Sequence, residues 1–205
     1  MGAERWMVAG LGNPEPEYAG TRHNIGAQVV REFARRHGTS LSRKRRVRGD
    51  VDEVDVGGAR TVLFVPDAYM NRSGDPVRAC QAWHRVAVER LVVCHDDLDI
   101  DLGTVRLKRG GGNAGHNGLR DVDRALGSPD YLRVRIGISR PPDRIPGRDH
   151  VLGRFRADET DRLVEAIDTA IHAISTLVTD GLEAAQQRHH GRPPRRPDTP
   201  EESAP

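Results

Sequence analysis

The chain has 205 residues, a formal net charge of +2 and 36% hydrophobic residues, with only 4% aromatic ones. This length suits one domain with a sizeable aliphatic core, and the near-neutral net charge by itself says nothing about whether the protein binds nucleic acid. The apolar runs are too short to span a bilayer, no apolar signal core opens the chain, and two cysteines, Cys80 and Cys94, indicate no disulfide framework. We therefore expect a cytoplasmic protein.

The N-terminal half alternates short aliphatic runs with amphipathic helical patterns, which predicts an α/β domain. A strand over 6–11 precedes a helix over 25–37, whose apolar residues fall on one stripe. Residues 47–65 are typical of a hairpin that turns at Gly57-Gly58, and Asp75-Pro76 has the cap and first-turn proline that open a second helix.

The C-terminal half continues the same alternation. Three further strands are predicted, near residues 90–95, 103–108 and 131–138. The clearest helix runs from about 158 to 180, with one apolar face, and Gly181 closes it. From Arg188 onward the sequence is rich in proline and arginine and cannot bury apolar area. We therefore predict one domain over 1–187 and a disordered tail over 188–205.

Four polar segments stand where predicted strands end or helices begin. In chain order they read GLGNPEPEYAGTRHN at 10–24, AYMNRSG at 68–74, HDDLD at 95–99 and GGGNAGHNGL at 110–119. Asn13 and Asp96 directly follow strands, at the edge where open α/β sheets place their sites. Any one of these segments, taken alone, also fits a turn, a helix cap or the end of a strand.

Taken together, the four segments resemble bacterial-type peptidyl-tRNA hydrolases, and the resemblance extends from about Met7 to about residue 185. It implies a single twisted, mixed β-sheet flanked by helices. It also implies hydrolysis of the ester between a peptide and the 3′ ribose of tRNA, which recycles peptidyl-tRNA released from ribosomes, with no cofactor and no metal. Glu15 and Ala114 depart from the pattern, since the family usually has glycine at the first position and often at the second.

The resemblance also assigns roles to polar residues. His23 would be the general base, because imidazole is the only side chain whose unperturbed pKa lies near neutrality, and Asp96 would orient it. Amides can position substrate and water, and stabilise an oxyanion, without changing charge as the base titrates. The substrate-binding residues that the resemblance implies are Asn13, Tyr18, Tyr69, Asn71 and Asn117. Asn117 also fits a simple helix N-cap.

Cations near the third and fourth segments are predicted to meet the tRNA. Arg106 and Lys108 lie two apart on a predicted strand and so share a face, and Arg133 and Arg135 do the same. Such pairs could hold phosphates, which position an RNA without reading its sequence. His116 is equally compatible with a contact to substrate or to solvent.

A separate basic run precedes the predicted hairpin. It comprises Arg43-Lys44-Arg45-Arg46 and Arg48. Clusters of this kind can hold phosphates. The plainer interpretation, a solvated face or loop, is the commoner one for an isolated charge run.

Two other functions stay open at this point. The chain could be a non-catalytic relative that binds tRNA or the ribosome, although a binding module does not need His23 and Asp96. It could also be a metal-dependent esterase whose ligands lie on the acidic loop, namely His95, Asp96, Asp97 and Asp99; chelator sensitivity would reveal it. For the favoured interpretation we expect peptidyl-tRNA as partner, no membrane, no obligate protein partner and a monomer.

Overall fold

The computed structural model describes residues 5–142 and 144–190. Its strands are β1 (Trp6–Gly10), β2 (Ser42–Lys44), β3 (Gly49–Val56), β4 (Ala59–Pro66), β5 (Leu91–Asp97), β6 (Val105–Arg109) and β7 (Leu132–Gly137). Its α-helices are α1 (Ile25–Arg36), α2 (Gly74–Trp83), α3 (Asn117–Leu126), α4 (Gly147–Leu152) and α5 (Thr160–His189). No helix among these described residues is long and apolar enough to cross a membrane.

All the strands form one mixed sheet in the order β2-β3-β4-β1-β5-β7-β6. The central strands β4, β1, β5 and β7 run parallel to one another, while β2 and β3 at one side and β6 at the other are antiparallel to their neighbours. The carboxyl ends of β1, β4 and β5 therefore share one edge of the sheet. The prediction of a single mixed sheet flanked by helices is confirmed.

Helices cover both faces of the sheet. Side chains alternate between the faces along each strand, so Val8 of β1 packs against the layer of α1 and α5, whereas Met7 and Ala9 pack against α2 and α3. The first core includes Phe33 of α1, and the second includes Val122 of α3. The predicted apolar stripes of the helices are thus the buried ones.

The last helix departs from its predicted end. Gly181, at φ 88°, breaks the helical path where the sequence predicted a stop, but helical turns resume and continue to His189. The backbone of Leu107 on edge strand β6 donates to His190 Nε2 at 2.7 Å and accepts from Gln186 Nε2 at 3.0 Å. These contacts satisfy the open edge of the sheet, so the folded region extends past the predicted boundary at Arg188. The remainder of the predicted tail, residues 191–205, lies outside the described residues.

Candidate active site

A cavity of about 810 Å³ opens at the edge of the sheet where β1, β4 and β5 end. It brings together nearly all the residues that the sequence singled out, although they come from widely separated segments. The predicted residues that line it are Asn13, Tyr18, His23, Tyr69, Asn71, Asp96, Lys108, His116, Asn117, Arg133 and Arg135. Of the predicted site residues only Arg106 does not line it.

His23 reaches the cavity from a 3-10 turn, Arg22–Asn24, that leads into α1. The buried Arg22 anchors this turn through an ion pair of 2.6 Å with Glu159. Behind it, Gly26 of α1 lies so close to β5 that a Cβ built on it would be 2.1 Å from the carbonyl oxygen of Cys94. Glycine therefore allows α1 to pack directly on β5, which carries Asp96, the predicted partner of His23, next to its last residue.

Two imidazoles share one oxygen of Asp96. Nδ1 of His23 lies 2.9 Å from Asp96 Oδ1, and Nε2 of His116 lies 3.0 Å from the same atom. Nδ1 of His116 accepts from the backbone N–H groups of Gly118 and Leu119, so its ring proton is on Nε2 and is donated to the carboxylate. A carboxylate only accepts, so His23 carries its proton on Nδ1. Its Nε2 is left as a free base.

The charge of Asp96 follows from its burial and from the N–H groups that donate to it. Asp96 is 2% exposed. Burial alone raises the pKa of a carboxyl, but interactions with His116 and then His23 outweigh it, so the pKa of Asp96 lies well below its ordinary range. Burial likewise lowers the pKa of the neighbouring His95 well below its ordinary value, which keeps that ring neutral. Asp96 is therefore an anion facing two N–H donors, as an orienting group must be.

The cap of α3 differs from its prediction. His116, not Asn117, is the N-cap, since its ring accepts from the two free N–H groups of the first turn. Asn117 is the first helical residue, and its Oδ1 accepts from the guanidinium of Arg120. The amide nitrogen of Asn117 remains as a donor at the cavity.

Asn13 is held in one orientation. Its Oδ1 accepts from the N–H of Met70 at 2.9 Å, which leaves its amide nitrogen as the free donor. Asn24, 4% exposed, fixes its backbone by accepting from the N–H of Asn13 and donating to its C=O, both at 2.9 Å. We did not single out Asn24 from the sequence. The signal available was an amide directly after the predicted base, His23.

The tyrosines and Asn71 line the mouth of the cavity. Tyr18 ends a short 3-10 turn and is half-buried, whereas Tyr69 is 51% exposed. The nearby carboxylate of Glu15, the residue that departs from the family pattern, raises the pKa of Tyr69. Asn71 is exposed on the next 3-10 turn, where its amide faces the cavity.

Two of the four cations predicted to bind phosphate make hydrogen bonds within the protein instead. Arg133 is fully buried, and its guanidinium donates to the carbonyl of Gly112 at 2.9 Å and to Asp123 at 3.3 Å. It therefore braces the glycine-rich loop and does not meet phosphate. Arg106 donates to the backbone carbonyl of His190 and lies away from the cavity. The shared strand face was predicted correctly, but the loop and α5 cover these two members of it.

Lys108 and Arg135 keep access to the cavity. Arg135 is paired with Asp97 at 2.8 Å and is partly exposed. Burial, followed by the charges of Arg133 and Arg135, lowers the pKa of Lys108. Three cations thus crowd one face, and an anion arriving there would relieve their mutual repulsion.

The geometry opposes a metal ion at the imidazoles. His23, Asp96 and His116 each offer one ligand atom, all within 4.8 Å of one another. A metal on Nε2 of His116 would move the ring proton to Nδ1, directly against the N–H groups of Gly118 and Leu119. The ring cannot both cap α3 and ligate a metal. The donor set therefore does not fit one.

The acidic loop is also engaged elsewhere. Asp97 holds Arg135, and Asp99 forms an ion pair of 2.6 Å with Arg140. Nδ1 of His95 is 2.7 Å from the backbone carbonyl of Asp96, so the ring turns back on its own strand. These residues do not converge on a common point.

Comparison with known proteins agrees with this geometry. A family model described as peptidyl-tRNA hydrolase matches residues 7–197. A peptidyl-tRNA hydrolase of Frankia casuarinae is 52% identical over 185 residues, which cover 90% of this chain and 93% of that protein. One from an Arthrobacter species is 46% identical over 188 residues, covering 91% and 97%. The crystal structure of peptidyl-tRNA hydrolase from Acinetobacter baumannii superposes with a TM-score of 0.87 at 36% identity, covering 93% of this chain and 96% of that one. The chain belongs to the peptidyl-tRNA hydrolase family.

Proposed function

We propose that the protein hydrolyses the ester that joins a peptide to the 3′ ribose of tRNA, and so recycles peptidyl-tRNA released from ribosomes. The observation that carries this proposal is the His23–Asp96 contact of 2.9 Å at the floor of a cavity lined by amides. An orienting carboxylate and an imidazole with a free nitrogen form a general base suited to neutral pH.

In the proposed mechanism, Nε2 of His23 takes a proton from a water molecule as its oxygen attacks the ester carbonyl. A C–O bond forms and the carbonyl oxygen gains negative charge, which the free amide N–H groups of Asn13 and Asn117 stabilise. The bond to the ribose 3′ oxygen then breaks. The protonated His23 returns its proton to that oxygen, giving a peptide acid and a free tRNA 3′ end.

Asp96 serves this cycle as a positioning residue. It holds the N–H tautomer of His23 and offsets the positive charge that forms on the ring when it accepts a proton. His116 supports this role of Asp96, because the N–H group that it donates helps to keep the carboxylate ionised. His116 therefore acts through Asp96, and in this mechanism it touches neither water nor ester.

The substrate class can be tested directly. N-acetylaminoacyl-tRNA and unblocked aminoacyl-tRNA should be incubated separately with the protein. We expect release of tRNA from the blocked substrate alone, and this activity should persist in a metal chelator. Binding of tRNA without hydrolysis would favour a non-catalytic relative, and a chelator-induced loss restored by added metal would favour a metal-dependent esterase.

Asp96→Asn should lower kcat. An amide at this position cannot offset the positive charge that forms on His23 as it takes a proton from water, and it no longer enforces the Nδ1–H tautomer. The expected loss is a part of the about 10²–10⁴-fold that a general base supplies. Asp99→Asn, which removes a nearby carboxylate that does not touch His23, is the matched control. Wild-type kcat in Asp96→Asn would contradict the positioning role of this carboxylate.

Lys108→Glu should weaken tRNA affinity more than it lowers kcat. Each phosphate contact contributes about 0.9 to the slope of log affinity against log salt on a duplex, so the slope should fall by about 1. Arg35→Glu, in the last turn of α1, makes the same charge change away from the cavity. Equal affinities and slopes for the two variants would remove Lys108 from the RNA path.

We further propose that the protein works as a monomer in the cytoplasm. All the residues of the proposed mechanism belong to one chain, and the cavity that they line is complete within it. Light scattering after size-exclusion chromatography would test the monomer, and fractionation of the host cells would test the compartment.

A further inference from the structure

The basic run before the hairpin lies at the same edge of the sheet as the catalytic cavity. The turn between β2 and β3 is held there by the N–H of Asp67, just after β4, which donates to the carbonyl of Arg48 at 2.9 Å. The buried side chain of Val47 anchors the turn in the core. From β2 to β1 the sheet has three strand spacings, or about 14 Å. The turn therefore lies beside the catalytic cavity at one side of the sheet, and β6, which carries Lys108, lies at the other side.

Three cations at the turn have no hydrogen-bond or ion-pair partner among the described residues. Lys44, Arg45 and Arg48 are exposed, and their side chains make no hydrogen bond or ion pair with residues 5–142 or 144–190. Arg43 differs, since it is paired with Asp50 and Asp67. Three adjacent like charges without local partners repel one another, which favours an anionic partner from outside.

Arg48 has an unusual backbone for its residue type. Its φ is 52°, in the left-handed region where glycine is favoured. A side chain kept at such a position carries a conformational cost, and positions of this kind concentrate at functional sites. The Arg48 side chain makes no hydrogen bond or ion pair within the described fold that would account for keeping arginine there.

The remaining arginine of the turn, Arg46, stacks on an exposed tryptophan. The guanidinium of Arg46 lies 3.8 Å from the ring centroid of Trp83, which is 52% exposed at the end of α2. An exposed indole with a stacked guanidinium is a flat, cationic platform on which an unpaired base can stack. Proteins recognise RNA by this combination of phosphate contacts and stacking.

The turn connects to the catalytic cavity. A second cavity, of about 420 Å³, is lined by Arg48, Arg72 and Arg124, and Arg72 also lines the catalytic one. Acidic residues line the second cavity too, but two of them are engaged: Asp67 with Arg43 and Asp121 with Arg124. Asp75 is the third. Arg72 therefore lies between the turn and the active site. Its side chain is exposed and makes no hydrogen bond or ion pair within the described fold.

We propose that this turn surface, formed by Lys44, Arg45, Arg46, Arg48 and Trp83, is a second RNA-binding surface that holds the body of the tRNA away from its reacting 3′ end. The inference rests on the proposed function, because it takes the esterified tRNA as the ligand. Phosphates meet Lys44, Arg45 and Arg48, and a base stacks on the Arg46–Trp83 pair. The surface supplies affinity and takes no part in the chemistry.

The test compares two substrates that differ only in how much RNA they carry. N-acetylaminoacyl-tRNA can reach the turn surface, whereas N-acetylaminoacyl-adenosine cannot. For Arg45→Glu/Arg48→Glu we expect tRNA affinity to fall at least about tenfold at low salt, with the salt slope reduced by about 1 to 2. kcat/KM for the adenosine ester should equal that of wild type. Arg35→Glu/Arg60→Glu makes the same charge change in the last turn of α1 and at the start of β4, away from the active-site edge, and should match wild type with both substrates.

Arg48→Gly separates binding from folding. Glycine accepts the positive φ without strain, so this variant should melt no lower than wild type and yet bind tRNA more weakly. Trp83→Ala should weaken tRNA binding with an unchanged salt slope, because stacking releases no counterions.

Several results would overturn the turn surface. One is wild-type tRNA affinity in Arg45→Glu/Arg48→Glu; another is an equal loss with the adenosine ester. Equal weakening of binding to polyglutamate would assign the surface to acidic protein instead of RNA. If wild-type protein hydrolyses neither ester, the proposed function fails. The tRNA affinities of the variants still decide whether the surface binds RNA.

Discussion

Replacing His23 with alanine is expected to lower kcat by about 10²–10⁴-fold while tRNA affinity and folding stay close to wild type. The side chain is half-buried at the cavity, and its interactions there are one hydrogen bond to Asp96 and a ring contact with His116 at 4.9 Å between centroids. Its removal takes away the proton acceptor of the proposed mechanism but no part of either apolar core. Single-turnover hydrolysis of N-acetylaminoacyl-tRNA, with tRNA binding measured in parallel, separates the chemical step from affinity.

The matched control is His172→Ala. This histidine is exposed on α5 and bonded only to its own helix turn, so its loss should leave the rate unchanged. A folded His23→Ala protein with wild-type turnover would rule out the general base. An equal loss in both variants would point to a general effect of the substitution on the fold.

Much of the fold could be predicted because its signals are local. The hairpin turns at Gly57 and Gly58, both at positive φ, where the sequence placed it. The apolar stripe of α1 is the face that packs on the sheet. Strand ends could be located from aliphatic runs, and the parallel sheet then brings those ends to one edge. Asn13 and Asp96 meet there for that reason.

The parts that escaped prediction depend on contacts that are distant in sequence. His116 caps α3 and donates to Asp96, twenty residues earlier, so its role is fixed by a partner that spacing cannot reveal. Arg133 shares a strand face with Arg135 as predicted, yet the glycine-rich loop folds over it and buries it. The extension of α5 depends on the free edge of β6, which exists only after the sheet has formed. In each case the sequence shows the type of side chain, but it does not show which contacts bury that side chain in the folded protein.

The close contact between α1 and β5 predicts a second large effect, for Gly26→Ala. A Cβ at this position would lie 2.1 Å from the carbonyl oxygen of Cys94 and 2.8 Å from its carbon. Backbone cannot yield as a flexible side chain does, so α1 must move outward. Alanine gains about 1 kcal/mol in helix propensity over glycine, but overpacking typically costs about 1–3 kcal/mol, so we expect a lower Tm.

When the loss of kcat in Gly26→Ala is expressed as a free energy, we expect it to exceed the loss in the free energy of unfolding. His23 lies three residues before Gly26 and Asp96 two residues after Cys94, so a shift of the helix acts directly on their 2.9 Å contact. A misplacement of about 1 Å can cost about 10²-fold in rate. We therefore expect a kcat loss of about that size in protein that is still folded at assay temperature, as judged by circular dichroism. Gly20→Ala is the control, since its added Cβ would make only an ordinary contact, 3.6 Å from Arg154, although it too lies three residues from His23. Wild-type kcat and Tm in Gly26→Ala would mean that α1 accommodates the extra carbon, and that the pairing of His23 with Asp96 does not depend on how closely the helix is seated.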